Sequence, residues 1–106
     1  MVDKWVVDGK VAVVYSPGFG AGWSTWADWT SYDPSLVFDP RLAELVEVGD
    51  KQKVREYAKA KWPKMYQGGI DQLKVRWIPE GTEFRIYDYD GDERIMYRQD
   101  DCIYTA

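Results

Sequence analysis

Two kinds of hydrophobic spacing alternate along this 106-residue chain, and each marks a different element. Lys4-Trp-Val-Val7 and Lys10-Val-Ala-Val-Val-Tyr15 are β-rich runs separated by Asp8-Gly9, a dipeptide that favours the two-residue turn of a hairpin. Every position from Val11 to Val14 is apolar, so this strand is expected to bury both faces at the centre of a sheet. Ser16-Pro17 ends it, because proline has no N–H for the ladder and restricts the residue before it.

Helical spacing then takes over. Ser24 is placed to cap a short helix through Trp29, whereas Thr30 to Phe38, broken by Asp33-Pro34, reads as irregular. Asp39-Pro40 is a helix start, with a capping carboxylate and a proline in the first turn. Leu42, Leu45 and Val46 form its apolar stripe, and Gly49 stops it. Asp50 opens a second helix in which Val54, Tyr57, Ala58 and Trp62 recur at i, i+3, i+4 and i+8, and Pro63 ends it. With only Gly49-Asp50 between them, the two helices should meet at a sharp corner.

Alternation returns after Gly68-Gly69. Leu73, Val75 and Trp77 alternate with Lys74 and Arg76, Pro79-Glu-Gly81 turns the chain, and Phe84 and Ile86 alternate with Arg85 and Tyr87. Asp90-Gly91 turns again, and Arg94 to Tyr97 and Cys102 to Tyr104 supply the last strands. The order predicts an α+β fold: a mainly antiparallel sheet, made of an N-terminal hairpin plus a C-terminal meander, with the central helix pair packed on one face. With no repeat and no linker, residues 1–106 are read as a single domain.

Composition adds constraints on function. Six tryptophans and eight tyrosines are more than so small a core can enclose, so some should line a pocket or an interface. A net charge of −4 disfavours a general nucleic-acid binder. The single cysteine, Cys102, forms no internal disulfide, reads as a small buried residue, and fits a reducing compartment. Asp3 and Asp8 interrupt the N-terminus and no apolar run approaches a membrane span, so a cytoplasmic protein with no membrane partner is expected. The chain has no histidine, which removes the usual general base and the commonest metal ligand. A protein that is not an enzyme, with no metal and no cofactor, is the expectation.

Charge is also segregated. Residues 50–64 carry six bases against two acids, and residues 79–101 carry eight acids against three bases. Solvated faces on a helix and a hairpin account for this, and the alternative is self-association into a homo-oligomer.

The candidate site is the loop Gly18-Phe19-Gly20-Ala21-Gly22 and its aromatic flanks. Its backbone N–H groups, with the Ser24 and Thr25 hydroxyls at a helix start, are suited to phosphate oxygens. Trp23, Trp26 or Tyr15 would stack a planar base, and Arg85 would complete the pocket. The G-x-G-x-G spacing matches neither the dinucleotide-binding fingerprint nor the P-loop, and the loop contains no lysine. The competing account is a structural loop whose tryptophans complete the core. Asp88-Tyr-Asp-Gly-Asp-Glu93 fails the EF-hand register, since Glu93 stands where glycine is required, and reads instead as a hairpin tip with solvated carboxylates.

Pro17-Gly-Phe-Gly-Ala-Gly-Trp-Ser-Thr-Trp26, followed by Ile78-Pro-Glu-Gly-Thr-Glu-Phe-Arg-Ile86 and Tyr89-Asp-Gly91, resembles a group of small proteins encoded by bacteriophages and prophages. The resemblance spans most of the chain except 50–72, and it implies a setting, the host cytoplasm, more than a mechanism. In general type the chain is similar to anti-defence proteins that sequester nucleotide second messengers, although no motif of theirs is matched. The expectation is a non-enzymatic protein that captures a small anionic, nucleotide-like ligand. The alternative is a protein–protein inhibitor of a host defence or nucleic-acid-binding protein, acting through the acidic C-terminal hairpin. A carboxylate hydrolase ranks last.

Overall fold

The strand with two apolar faces is the middle layer of the molecule. The computed structural model describes residues 3–18, 22–27, 34–63, 69–97 and 103–106, with the backbone alone at 26 and 27. Strand β2 (Lys10–Tyr15) lies between β1 (Val6–Val7) and β3 (Lys74–Pro79) in a three-stranded antiparallel sheet. Val11, Ala12, Val13 and Val14 are all fully buried. Val11 and Val13 point into one core with Val37, Phe38, Ile78, Phe84 and Ile86. Ala12 and Val14 point into another with Trp23, Leu42, Val54, Ala58 and Trp62.

The second core is roofed by the helix pair, as the sequence predicts. Helix α3 (Pro40–Val48) starts at Asp39, whose carboxylate accepts the Leu42 N–H at 2.8 Å, and ends at Gly49 in the left-handed region. Helix α4 (Lys51–Lys61) starts at Asp50, which accepts the Lys53 N–H at 3.1 Å. Both turns expected from Asp-Gly pairs are present. Asp8 and Gly9, like Asp90 and Gly91, have positive φ at both central positions, the geometry that suits a two-residue hairpin.

The first core is closed by a second sheet, of order β5-β4-β6, from β4 (Glu83–Tyr89), β5 (Asp92–Met96) and β6 (Tyr104–Thr105). The α+β class is therefore as expected, but the strands form two sheets rather than one continuous meander. The reason lies at Pro79–Thr82. Strand β3 pairs with β2 along its whole length, from Lys10↔Pro79 to Tyr15↔Lys74. Gly81, at φ 89°, then redirects the chain, donating to Ala106 O at 2.7 Å while Thr82 O accepts from Ala106 N at 2.9 Å. Ala106 thus holds the turn before β4 outside the first sheet. The result is three layers: helices, first sheet, second sheet.

Three short helical turns complete the described chain, one of them a 3-10 turn at Ile70–Gln72. α1 (Ser24–Ala27) is a single turn, and its expected extension to Trp29 lies outside the described residues. α2 (Ser35–Phe38) replaces part of the segment expected to be irregular. Its turn sets Leu36, Val37 and Phe38 into the two cores, and that burial overrides the weak local pattern.

Candidate functional site

The donors that flank the glycine loop are present, and an anion already sits on them. The anion is Glu93, which is fully buried. Its Oε1 accepts the Ser16 N–H at 2.9 Å. Its Oε2 accepts the Trp23 N–H at 2.8 Å, the Thr25 N–H at 3.0 Å and the Thr25 hydroxyl at 2.6 Å. The Glu93 N–H closes the unit by donating to Ser16 O at 2.9 Å, beside a bridge between Pro17 and Asp92. A carboxylate so surrounded is compensated for burial by charge-assisted hydrogen bonds.

This arrangement corrects three expectations. The donors at Ser16, Trp23 and Thr25 are taken up by the protein's own carboxylate. Ser24 does not cap α1: it is the first helical residue, and its buried hydroxyl has no hydrogen-bond partner among the described residues. Glu93 supplies the capping acceptor from across the fold. The carboxylates of the β4–β5 hairpin are not all solvated either. Asp88 and Asp90 are exposed, but Asp92 and Glu93 are buried.

The other candidate residues divide clearly. Trp23 is fully buried, donates its indole N–H to Leu36 O at 2.8 Å, and meets Trp62 edge-on at 5.8 Å. It fills the core and offers no face to a ligand in this structure. Gly22 is buried and Gly18 half-buried in the approach to that latch. Phe19, Gly20 and the Trp26 side chain lie outside the described residues, as do Gly68 and Cys102. Arg85 stays on the outer face of the second sheet, its guanidinium 4.7 Å from the Tyr87 ring centre.

Tyr15 is the loop-flanking residue that does border open space. It is half-buried against the first core and lines a cleft of about 320 Å³ where the two sheets part. Arg76 lines this cleft from β3, and β5 lines it with two acids, Asp92 and Glu93, as well as with Arg94 and Met96. Arg94 is mostly exposed and reaches Asp92 at 3.3 Å. Sequence reasoning missed Arg76 and Arg94 because they are distant from the glycine loop in the chain. Arg76 reaches the face of Tyr15 only through the β2–β3 register, in which it pairs with Val13, two residues from Tyr15.

A second polar cluster ties the helices together. Asp39, buried beneath the start of α3, accepts the Tyr57 hydroxyl at 2.9 Å and is ion-paired with Lys61. Burial, and then the neighbouring carboxylate, raise the Tyr57 pKa above its ordinary value. The hydrogen bond to Asp39 raises that of Lys61. Three donors converging on one carboxylate make this a structural clasp between α3 and α4. Among the described residues no group of three or more histidine, cysteine or acidic side chains is placed to hold a metal ion. No helix among them is long and apolar enough to cross a membrane.

Compared with family models, with curated proteins and with solved structures, the chain finds no match in any of the three.

Proposed function

We propose that this protein is a non-catalytic binder of a small planar anion of nucleotide type, held in the cleft between the sheets. The observation that carries the reading is the meeting of Tyr15, Arg76 and Arg94 around one space. A tyrosine ring gives a face for a base, and two guanidinium groups from separate sheets suit a phosphate between them. At about 320 Å³ the cleft is at the small end of ligand sites, enough for one ring with its phosphate. These arginines supply the positive charge for an anion, while Glu93 takes the Ser16, Trp23 and Thr25 amides that flank the glycine loop.

Absence of catalysis is part of the proposal. The sequence has no histidine, and the two buried carboxylates that accept most hydrogen bonds, Asp39 and Glu93, serve as structural acceptors. The resemblance to phage-encoded proteins supports an anti-defence role in the host cytoplasm, in which the protein would sequester a nucleotide signal.

Calorimetric titration with adenosine 5′-monophosphate and with cyclic di- and trinucleotides tests this. Saturable binding is expected for at least one of them, with intact ligand recovered after the complex is denatured. Arg76→Gln removes an exposed cation and should weaken binding at least tenfold, about 1.4 kcal/mol, with an unchanged melting temperature. Cleaved ligand would make the protein an enzyme. Failure of every probe at millimolar concentration, or an Arg76→Gln protein that binds normally, would remove the cleft from consideration.

A further inference from the structure

The cleft at Tyr15 does not end at the edge of the second sheet. Register in the β4–β5 ladder pairs Arg85 with Met96, Tyr87 with Arg94 and Tyr89 with Asp92, so these side chains share one face. Ile86 and Ile95, which alternate with them, face the first core, and this is therefore the outer face. A hollow of about 280 Å³ lies on it, bordered by Tyr87, Asp88 and Tyr89 of β4 and by Asp92, Arg94 and Met96 of β5. The same three β5 residues border the cleft. β5 is the edge strand of its sheet, so past the bridge from Pro17 to Asp92 no described strand separates hollow from cleft.

Arg94 stands where the two spaces meet. Its side chain is 71% exposed, and one nitrogen reaches Asp92 at 3.3 Å, which engages only part of a five-donor fork. Aromatic rings lie on both sides of it. Pro17 meets Asp92 in the antiparallel sense, so the same register carried two residues further sets Tyr15 across the opening from Arg94. On the other side, the Tyr87 ring is already covered by the Arg85 guanidinium at 4.7 Å, and the ring presented to the hollow is Tyr89, 74% exposed. Tyr89 pairs with Asp92, two residues and so about 7 Å along the strand from Arg94. A ribose bridges such a separation between a phosphate and its base.

We propose that the ligand carries two bases, one against Tyr15 and one against Tyr89, with the phosphate that joins them at Arg94. The site is then built for a dinucleotide, a conclusion that rests on the cleft reading above. Charge favours it. The cleft adds Arg76 as a second guanidinium, whereas the hollow adds Asp88 and, among the described residues, no cation besides Arg94. A phosphate tail would be repelled there, and an uncharged ring with N–H donors for the acids would not. Size agrees as well, since each space alone is near or below the roughly 300 Å³ at which ligand sites begin, and joined they are of ordinary size.

Calorimetric titration of the intact protein with adenylyl-(3′→5′)-adenosine and with the methyl ester of adenosine 5′-monophosphate tests this. Both carry a single phosphodiester charge, and only the first has two bases. The dinucleotide should bind about tenfold tighter, or about 1.4 kcal/mol, within the range of one stacked base. Tyr89→Ala should remove that advantage, and Tyr89→Trp, which keeps a flat face, should retain it. The side chain is exposed enough for both variants to fold, and melting temperatures equal to wild type check this. Arg76→Gln should weaken both ligands, because both enter the cleft. Equal affinities for the two ligands, or an advantage that survives in Tyr89→Ala, would overturn the second base and leave the one-base cleft standing. Binding of neither ligand would overturn both.

Discussion

Replacing Glu93 should do more damage than any other exchange of a charged residue in the hairpin, and the loss can be estimated from its four hydrogen bonds. Glu93→Ala leaves the amides of Ser16, Trp23 and Thr25, and the Thr25 hydroxyl, without their acceptor. A buried donor left unsatisfied costs about 1–3 kcal/mol, and water entering the vacated space would recover part of that. A net loss of about 3–6 kcal/mol is expected, a large share of the roughly 5–15 kcal/mol typical of a domain. Glu93→Gln keeps one carbonyl oxygen. Set at the Oε2 position, it retains the contacts to Trp23 and Thr25 and turns an amide N–H against the Ser16 N–H, so about 1–3 kcal/mol should be lost.

Urea denaturation should give the stability order wild type, glutamine, alanine. Amide exchange shows where the loss falls, because Ser16, Trp23 and Thr25 should lose protection before the α4 amides do. An alanine variant within about 0.5 kcal/mol of wild type would refute the latch, since surface exchanges have that magnitude. Equal losses for glutamine and alanine would show that charge, rather than acceptor count, holds the loop.

Two further outcomes follow from the helix pair. Tyr57 and Lys61 have folded-state pKa values raised above their ordinary 10.0 and 10.5, so folding retains their protons in alkali. That contribution to stability is complete below about pH 10 and is lost as pH rises through the raised values; Asp39→Asn should flatten the alkaline fall in urea midpoint, and parallel slopes would sink the argument. At the corner between α3 and α4, Gly49 sits at φ 86°, and beyond its own chain neighbours no atom of the described residues crowds the place where a Cβ would stand. Gly49→Ala should therefore cost about 1–2 kcal/mol through backbone strain alone, and an unchanged melting temperature would contradict this.

Much of the scaffold was legible in short-range pattern. The doubly apolar run at Val11–Val14, the caps Asp39 and Asp50, the stop at Gly49 and the turns at Asp8-Gly9 and Asp90-Gly91 each depend on neighbours within a few residues. The pairing of β3 with β2 rather than β4 depends on the turn at Gly81 and on its bond to Ala106, which no local window contains. Glu93 is the instructive miss. It is two residues from Ile95, and Ile95 is in register with Ile86, so alternation alone puts Glu93 on the inward face. An inward acid needs buried donors, and the residues on either side of the glycine loop, Ser16, Trp23 and Thr25, provide them.

The internal carboxylate also bears on how a ligand would be held. A glycine loop ordered only by its ligand would lose affinity to that ordering, on the order of 1–2 kcal/mol for each residue fixed. Here Glu93 joins β5 to Ser16, Trp23 and Thr25 through bonds internal to the chain. Tyr15 directly precedes one end of that latch and Arg94 directly follows the other. The cleft walls are thereby fixed relative to one another before anything enters. Under the proposed reading, the bonds from Glu93 to the residues that flank the glycine loop make the neighbouring cleft rigid, and it is there that ring and phosphate chemistry should be sought.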